Sequence, residues 1–515
     1  MPNTLISRIA PHCIVGLAGT ALGDDECRLL AEAPPAGIIL FDRNVESAAQ
    51  TAALVDEARR AAGRSGSAPL LVCADHEGGV ISVLSRAIGT PPSPAAAWLP
   101  RDAGLLAACA GETARRIASC GVNLVLAPLA DIGSDPDNPV IGTRAFAGGA
   151  AETAAAVEIF VRACAGEGLL TCLKHFPGHG ATGADSHLTL PVIEADRTTL
   201  AGRELIPFAA GIAAGADCVM SAHVALRGSD RPASLDPGLL GGLLRGELGF
   251  GGAVITDALE MAGILPDRVP MASIDPRARK APGTGPAAVV GAALEAGNDL
   301  LLFSSPVTEA YGELGAFAPE APKDPLRGDR FEALSAPSLA RIAALRGRRS
   351  RRAGIPEGGF PSPAPVEREI ARRSMKIAGD PAGALRERAR GLPPRLVLAG
   401  TGRDLSYPVV GRFAARLASA LGAQTFFAAL APRDRGGSSS SLPAGATAPD
   451  AVLVFVARAP LEPAAAEALA SGAAVVIAAA RPADLRFAPP GTPAIATFGV
   501  YDAAADELAR LLLGG

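Results

Sequence analysis

Six histidines occur in the chain, at 12, 76, 175, 179, 187 and 223. Three of them crowd into Lys174-His-Phe-Pro-Gly-His-Gly180-Ala-Thr-Gly-Ala-Asp185-Ser-His187. Glycine and proline punctuate this segment, so it reads as a loop and not a helix. Asp185 stands two residues before His187. In a loop, that carboxylate can meet the imidazole, orient it and raise its pKa, which suits proton transfer near neutral pH. Asp257 ends the apolar run Ala253-Val-Ile-Thr-Asp257. It reads either as a structural acid or as a carboxylate nucleophile that attacks a carbon centre and later leaves. Asp75 opens Asp75-His-Glu-Gly-Gly79, where paired glycines allow a ligand close to the backbone and the carboxylate can accept from its hydroxyls. Glu77 beside it reads as a tie to the rim. Arg144 follows the polar loop Asp131–Thr143 and carries a rigid fork of donors for clamping a ligand. Lys174 is one of only four lysines in the chain, placed where a compact donor is useful.

These residues need elements to hold them. Eight short apolar runs occupy the first 303 residues: Ile14–Ala18, Gly37–Phe41, Leu70–Ala74, Asn123–Ala127, Thr171–His175, Cys218–Ala222, Ala253–Thr256 and Asp299–Phe303. Each is too short for a helix and reads as a strand buried on both faces. Helical patterns fill the gaps at Ser47–Ala62, Ala103–Ser119, Ala151–Gly166, Leu200–Ala214 and Ala287–Ala296, and Asp236 with Pro237 opens another. The alternation predicts an α/β fold, a (β/α)8 barrel. Polar residues collect where such a barrel keeps its site, after the strands: Asp75, Asp131, Lys174-His175, His223 and Asp257.

From Ser304 to about Pro365 prolines, glycines and arginines cluster, with one helix expected over Arg330–Arg346. The stretch reads as a tether, and its basic run Arg346–Arg352 as solvated. A second α/β unit follows, a smaller sandwich with a mostly parallel sheet, from strands at Arg395–Ala399, Thr425–Ala429, Ala451–Ala457, Ala473–Ala479 and Ala494–Phe498. The expected division is a barrel over 1–330, a linker with a helix over 331–375 and the second domain over 376–515. Gly400-Thr-Gly402 lacks the third glycine of a dinucleotide loop, which argues against a nucleotide there. Gly436–Ser441 is a flexible loop by composition.

Composition narrows the field. With 515 residues, 49% hydrophobic and 19% charged, the chain has material for buried cores. A net charge of −4 argues against nucleic acid or anionic lipid as partner, and no apolar run is long enough for a membrane span. Aromatics are only 4%, with one tryptophan, which argues against a platform for long polysaccharides. The eight cysteines include no C-x-x-C and read as buried free thiols. No signal peptide is evident at the N-terminus, so a cytoplasmic location is expected. No cofactor and no metal are expected, and a monomer is favoured.

Together the segments Gly16–Gly19, Gly37–Val45, Asp75–Gly79, Asp131–Arg144, Lys174–His187, Met220–Val224, Ile255–Met261 and Ala296–Leu300 resemble family 3 glycoside hydrolases. Within that family they resemble the β-N-acetylhexosaminidase branch in its two-domain form. The Lys-His-Phe-Pro-Gly-His-Gly…Asp-Ser-His element is highly specific to this branch. The second domain matches more weakly, at Val475–Phe487 and Ala494–Leu513. The resemblance implies Asp257 as nucleophile, His187 as general acid/base assisted by Asp185, and Asp75, Arg144, Lys174 and His175 as holders of a terminal N-acetylglucosamine. His179 would shape the loop, and the second domain would support the barrel without a catalytic group. Two positions depart from the family pattern: Val80 stands where arginine is usual, and Ala258 where the branch often has a second aspartate.

The activity implied is retaining, exo-acting removal of terminal β-linked N-acetylglucosamine from small soluble carbohydrates, with muropeptides of cell-wall recycling as the natural class. Phosphorolysis by the same site and a β-glucosidase of the same family stay open as alternatives. From other classes, His175, His179, Asp185 and His187 could serve a metal-dependent barrel hydrolase, although Pro177 and Gly178 forbid the helix that suits His-x3-His best. A non-catalytic sugar-binding protein is a third option, one that has no need of a nucleophile opposite a proton donor.

If His187 is the general acid, its loss hurts poor leaving groups most. His187→Ala should lower turnover of a disaccharide by ~10²–10⁴-fold and that of a nitrophenyl glycoside by less. Azide should restore part of the latter. Equal losses on both substrates without azide rescue would reduce His187 to a binding or loop-shaping role.

Overall fold

The computed structural model describes residues 5–513, apart from 64–68, 136–137, 139, 181, 183–189, 230, 262–263, 265–288, 317–327, 349–353, 361, 390–393, 401–406, 430–450, 457–462, 472 and 480–481. Asp185, His187, most of the Gly400–Gly402 turn and the Gly436–Ser441 loop lie outside the described residues.

All eight apolar runs become strands: β1 Cys13–Gly16, β2 Gly37–Leu40, β3 Leu71–Ala74, β4 Leu124–Val125, β5 Leu170–Phe176, β6 Cys218–Ser221, β7 Ala253–Thr256 and β8 Leu301–Pro306. Each pairs in parallel with its sequence neighbour, and β1 pairs with β8. The seam between β7 and β8 is closed by a bridge from Ile255 to Leu300 and by Thr256 N–H donating to the Leu300 carbonyl at 2.9 Å. The result is the expected (β/α)8 barrel. Burial on both faces explains the unbroken apolar runs. One face, with Ile39, Leu71, Leu124, Met220 and Ile255, fills the interior, and the other packs under helices such as α1 Ala48–Gly63, α2 Ala103–Ser119 and α3 Ala150–Gly166. Seven of the eight cysteines are buried, with Cys27 half-buried. The helix opened by Asp236 runs over Gly238–Glu247, and Asp236 caps it by accepting from the Gly238 N–H at 2.8 Å.

The base of the barrel is closed by α4 Gly328–Gly347. Ile342 and Leu345 enter the interior cluster from below, beside the strand starts. A buried carboxylate pins the helix there. Asp299, just before β8, is fully buried and accepts from Arg341 Nε at 2.9 Å, Arg245 Nη2 at 2.7 Å and the Val254 N–H at 2.8 Å. His12, just before β1, is hydrogen-bonded to Ser335 at 2.7 Å. Arg346 donates to the Pro69 carbonyl and Arg348 pairs with Asp217. The basic run is thus anchored at these two positions, with Arg348 staying exposed while it pairs with buried Asp217 beside the start of β6.

The second domain carries a six-stranded sheet in the order β9 Lys376–Ala378, β14 Ala494–Ala496, β13 Val475–Ala478, β12 Ala451–Phe455, β10 Arg395–Gly400, β11 Gln424–Ala429. All neighbours are parallel except β9, which runs antiparallel to β14. Sequence patterning missed β9 because all three of its residues are exposed at an edge. This domain docks on the loop after β3. Arg412, in α5 Pro408–Leu421, bonds the Ser85 hydroxyl, and Asp502 accepts from the Thr90 N–H at 3.1 Å.

Removing Asp299 leaves two arginines without their shared acceptor. Asp299→Ala should cost about 3–5 kcal/mol of stability, by analogy with other broken buried pairs. Urea unfolding measures the loss. Turnover per folded molecule should hold near wild type, because the residue lies at the opposite end from Asp257; an unchanged midpoint would show that the plug does not depend on this pair.

Candidate active site

At the other end of the barrel, β3 and β5 deliver Asp75 and Lys174 to one point. Lys174 Nζ lies 2.6 Å from Asp75 Oδ1 and 2.5 Å from Glu77 Oε1. Arg144 grips the same Glu77 with both arms, Nε and Nη2 each at 2.8 Å, and donates through Nη1 to the Val140 carbonyl at 3.0 Å. Lys174 and Glu77 are buried, and Asp75, at 25% side-chain exposure, is the member open to the cavity. Burial alone would push the Glu77 carboxyl up, but Arg144 and Lys174 outweigh it and hold its pKa down at about 2. Burial likewise opposes the charge on Lys174, and Asp75 and Glu77 override it, so the ammonium's pKa is raised. Arg144, expected as a ligand clamp, thus directs most of its fork at Glu77, though it still lines the cavity.

The histidine loop is built on Asp131. This fully buried carboxylate accepts from His175 Nδ1 at 2.6 Å, from the His175 N–H at 3.1 Å and from the His179 N–H at 2.6 Å. Burial would raise its pKa, yet His175 and His179 leave it lowered, so Asp131 is ionised and His175 Nδ1 carries the donated proton. His179 is kept neutral: burial and its neighbour His175 lower its pKa to about 4. Its Nδ1 meets the Thr182 hydroxyl at 2.7 Å. Asn138 gathers the loop backbone by donating to the carbonyls of His179, Gly180 and Thr182 at 3.0, 3.1 and 2.9 Å. A Cβ on Gly180 would sit 1.7 Å from the Ile132 carbonyl oxygen, so only glycine lets the loop pass there. The Lys174–His175 peptide is cis. Among the described residues no three His, Cys, Asp or Glu side chains are grouped to hold a metal ion.

Asp257 follows β7. Its N–H donates to the Ser221 carbonyl at 3.0 Å, and its Oδ1 accepts from the Ala258 N–H at 2.8 Å, which fixes the rotation of the carboxylate. Fully buried His223, after β6, supports that turn, with Nε2 at 3.1 Å from the Ala258 carbonyl. Glu260 ties the turn to the end of β8 by accepting from the Ser305 N–H at 2.9 Å.

A cavity of about 340 Å³ brings these groups together. Asp75, Arg144, Lys174, His175 and Asp257 all line it, as do Glu77 and His179. Asp185 and His187 lie outside the described residues, so the structure gives them no position. Both departures from the family pattern, Val80 and Ala258, are also in the wall, and they make it apolar where charge is usual. Glu77, read from the sequence as a tie to the rim, holds Arg144 and Lys174 there. Sequence reasoning missed Asn138 as an organiser, since nothing local marks it and its three acceptors lie 41 to 44 residues away. It also missed Tyr407, Pro408 and Val409, which reach the cavity from the second domain.

Comparison with known proteins places this geometry. Residues 15–319 match the model of the glycosyl hydrolase family 3 N terminal domain. A beta-hexosaminidase of Xylella fastidiosa (strain M23) is 38% identical over 258 residues, 49% of this chain and 75% of that protein. One from Stenotrophomonas maltophilia (strain K279a) is 36% identical over 263 residues, 48% of this chain and 75% of that protein. Among solved structures, a family 3 beta-N-acetylglucosaminidase from Paenibacillus sp. str. FPU-7 aligns over 100% of this chain and 97% of its own, with a TM-score of 0.74 and 28% identity. The chain belongs to glycosyl hydrolase family 3, as a glycoside hydrolase of the β-hexosaminidase branch.

Proposed function

We propose that the protein removes terminal β-linked N-acetylglucosamine from small soluble glycosides with retention of configuration, and that muropeptides of cell-wall recycling in the cytoplasm are its natural class. The observation that carries this reading is the placement of Asp257, with a fixed carboxylate, in one cavity with Asp75, Lys174, Arg144 and His175. The names of its relatives, beta-hexosaminidase and beta-N-acetylglucosaminidase, support the choice of sugar. Here 1–330 is the catalytic barrel, 331–375 the linker and 376–515 the second domain.

In this mechanism Asp75, exposed at the cavity floor, accepts from sugar hydroxyls while Lys174, His175 and Arg144 supply donors. An Asp257 oxygen attacks the anomeric carbon as the glycosidic C–O bond breaks. His187, charged and oriented by Asp185, gives its proton to the departing oxygen. A water then attacks the same carbon, His187 takes its proton, and Asp257 leaves. Two displacements at one carbon restore the original configuration.

Asp257→Ala should abolish turnover and leave the thermal unfolding midpoint within a few degrees of wild type. A slow fluorinated N-acetylglucosaminide should label Asp257 alone, read by peptide mapping; label on Asp75 or Asp185 would overturn the assignment.

Glu77→Gln keeps the shape but removes the charge that Arg144 and Lys174 share. Stability should fall by about 3–5 kcal/mol. Glu77 has a depressed folded pKa, so its contribution is present above the ordinary carboxylate pKa and is lost as pH falls through about 2. The gap between wild type and Glu77→Gln in thermal unfolding should therefore be full at pH 6 and shrink towards pH 2. A gap independent of pH would show that the charge is not what matters.

A further inference from the structure

The histidine turn after β5 does not rest on Asp131 and Asn138 alone. It also packs on the helix Leu205–Ala213 and on the five-residue π-helical turn Leu200–Glu204 that opens it. Three residues of this segment, spaced i, i+4 and i+7, meet β5 and the turn. Gly211 passes so close to β5 that a Cβ there would lie 2.6 Å from a Leu173 methyl. Phe208 meets Phe176 edge to face, with ring centroids 5.4 Å apart. Glu204 lies against Gly178, where a Cβ would sit 3.1 Å from the Glu204 Cβ and 3.2 Å from its Oε2. Gly178, at φ +128°, has the conformation and the space for that approach. Gly211 and Phe208 are apolar, but Glu204 is an acid and is only 1% exposed. Its Oε1 accepts from Arg203 Nε at 2.7 Å, and its buried Oε2 has no hydrogen-bond partner among the described residues. In the turn, the His175 carbonyl accepts from the Gly178 N–H at 2.7 Å, and those of His179 and Gly180 accept from Asn138. The carbonyls of Pro177 and Gly178, two buried residues, accept from no described residue.

A buried carboxylate oxygen without a donor is costly, and ionised Asp131 nearby adds repulsion. Burial is the main cause of a raised pKa at Glu204; Arg203 opposes the rise and Asp131 adds to it. A protonated Oε2 is a donor, and the turn beside it has two open acceptors. We infer that Glu204 is a positioning residue for the glycosidase reaction: its Oε2 hydroxyl donates to the turn at Pro177–Gly178 and anchors it as a neutral counterpart to Asp131. The inference rests on the reading of His187 as the proton donor. His175 and His179 flank the turn and line the cavity, and the chain runs on from it through Asp185 to His187. A slip of the turn by ~1 Å would therefore misplace the proton donor, and misplacement of that size costs up to about 10²-fold in rate. Glu204 itself does not line the cavity, so it acts only through the turn. Packing alone would favour an apolar side chain at this position, like its neighbours on the same face. The hydrogen bond gives the acid a reason to be there.

The test uses the full chain and two substrates with the same terminal sugar. In N,N′-diacetylchitobiose the leaving sugar needs a proton, whereas the phenolate of the 4-nitrophenyl glycoside leaves unaided. The quantity read is the ratio of kcat/KM for the disaccharide to that for the nitrophenyl glycoside. Both are measured on one preparation, so the ratio does not depend on the fraction folded. Glu204→Met fills the same space without a donor and should lower the ratio about tenfold to 10²-fold. Glu204→Gln keeps a neutral donor and should retain most of the ratio. A role in packing alone would leave the ratio unchanged in Glu204→Met, and that result would overturn the inference. So would a Glu204→Gln enzyme that loses as much as Glu204→Met. His187→Ala is measured alongside. A lowered ratio there, with none in Glu204→Met, removes this inference and leaves the reading of His187 standing. An unchanged ratio in His187→Ala would overturn that reading and this inference with it.

Discussion

A lysine buried at the end of a strand cannot stay charged without carboxylates, and most of the active end of this barrel follows from that requirement. Lys174 meets Asp75 and Glu77, and Glu77 in turn holds Arg144. Two cations and two anions therefore converge from β5, from the turn after β3 and from the loop after β4. Desolvating such groups is costly unless each finds its partner, so the loops have little freedom to settle elsewhere. Asp131 repeats the device at smaller scale, one buried carboxylate organising two histidines and two backbone amides. Charge in this protein is used first to fix geometry, and the exposed face of Asp75 is what remains for a ligand.

The two ends of the barrel divide the labour. At the base, Asp299 gathers two arginines and a backbone amide, and α4 fills the interior from below. No group assigned to chemistry lies there. At the mouth the same kind of buried pairing surrounds a cavity, and the closure is left to loops and to the first turn of α5. This separation matches the general pattern in which strand N-termini carry stability and strand C-termini carry function.

Much of this was legible in the sequence because it is local. A strand buried on both faces announces itself as an apolar run, and all eight barrel strands were found within a few residues. Asp75, Lys174, His175 and Asp257 were found for a related reason: they stand at the ends of those runs. What was not legible is long-range pairing. Asn138 looks like any loop asparagine until its three carbonyl acceptors are seen across the site. Arg346 and Arg348 look like part of a solvated basic run until Pro69 and Asp217 are found beside them. Tyr407 is separated from Asp42 by 365 residues, and no periodicity connects a helix of one domain to another domain's cavity. The edge strand β9 failed for the opposite reason, being too exposed to leave a hydrophobic trace.

The plug at the barrel base also has a bearing on biogenesis. During synthesis the eight strands leave the ribosome before Ile342 and Leu345, so the growing barrel has an open, apolar underside until the very end of α4 emerges. Aggregation-prone surface of that kind is where chaperones act on large nascent proteins. The arginine-rich end of α4 then does more than secure a finished fold. It marks the moment in translation when the barrel can first shut, before most of the second domain has been made.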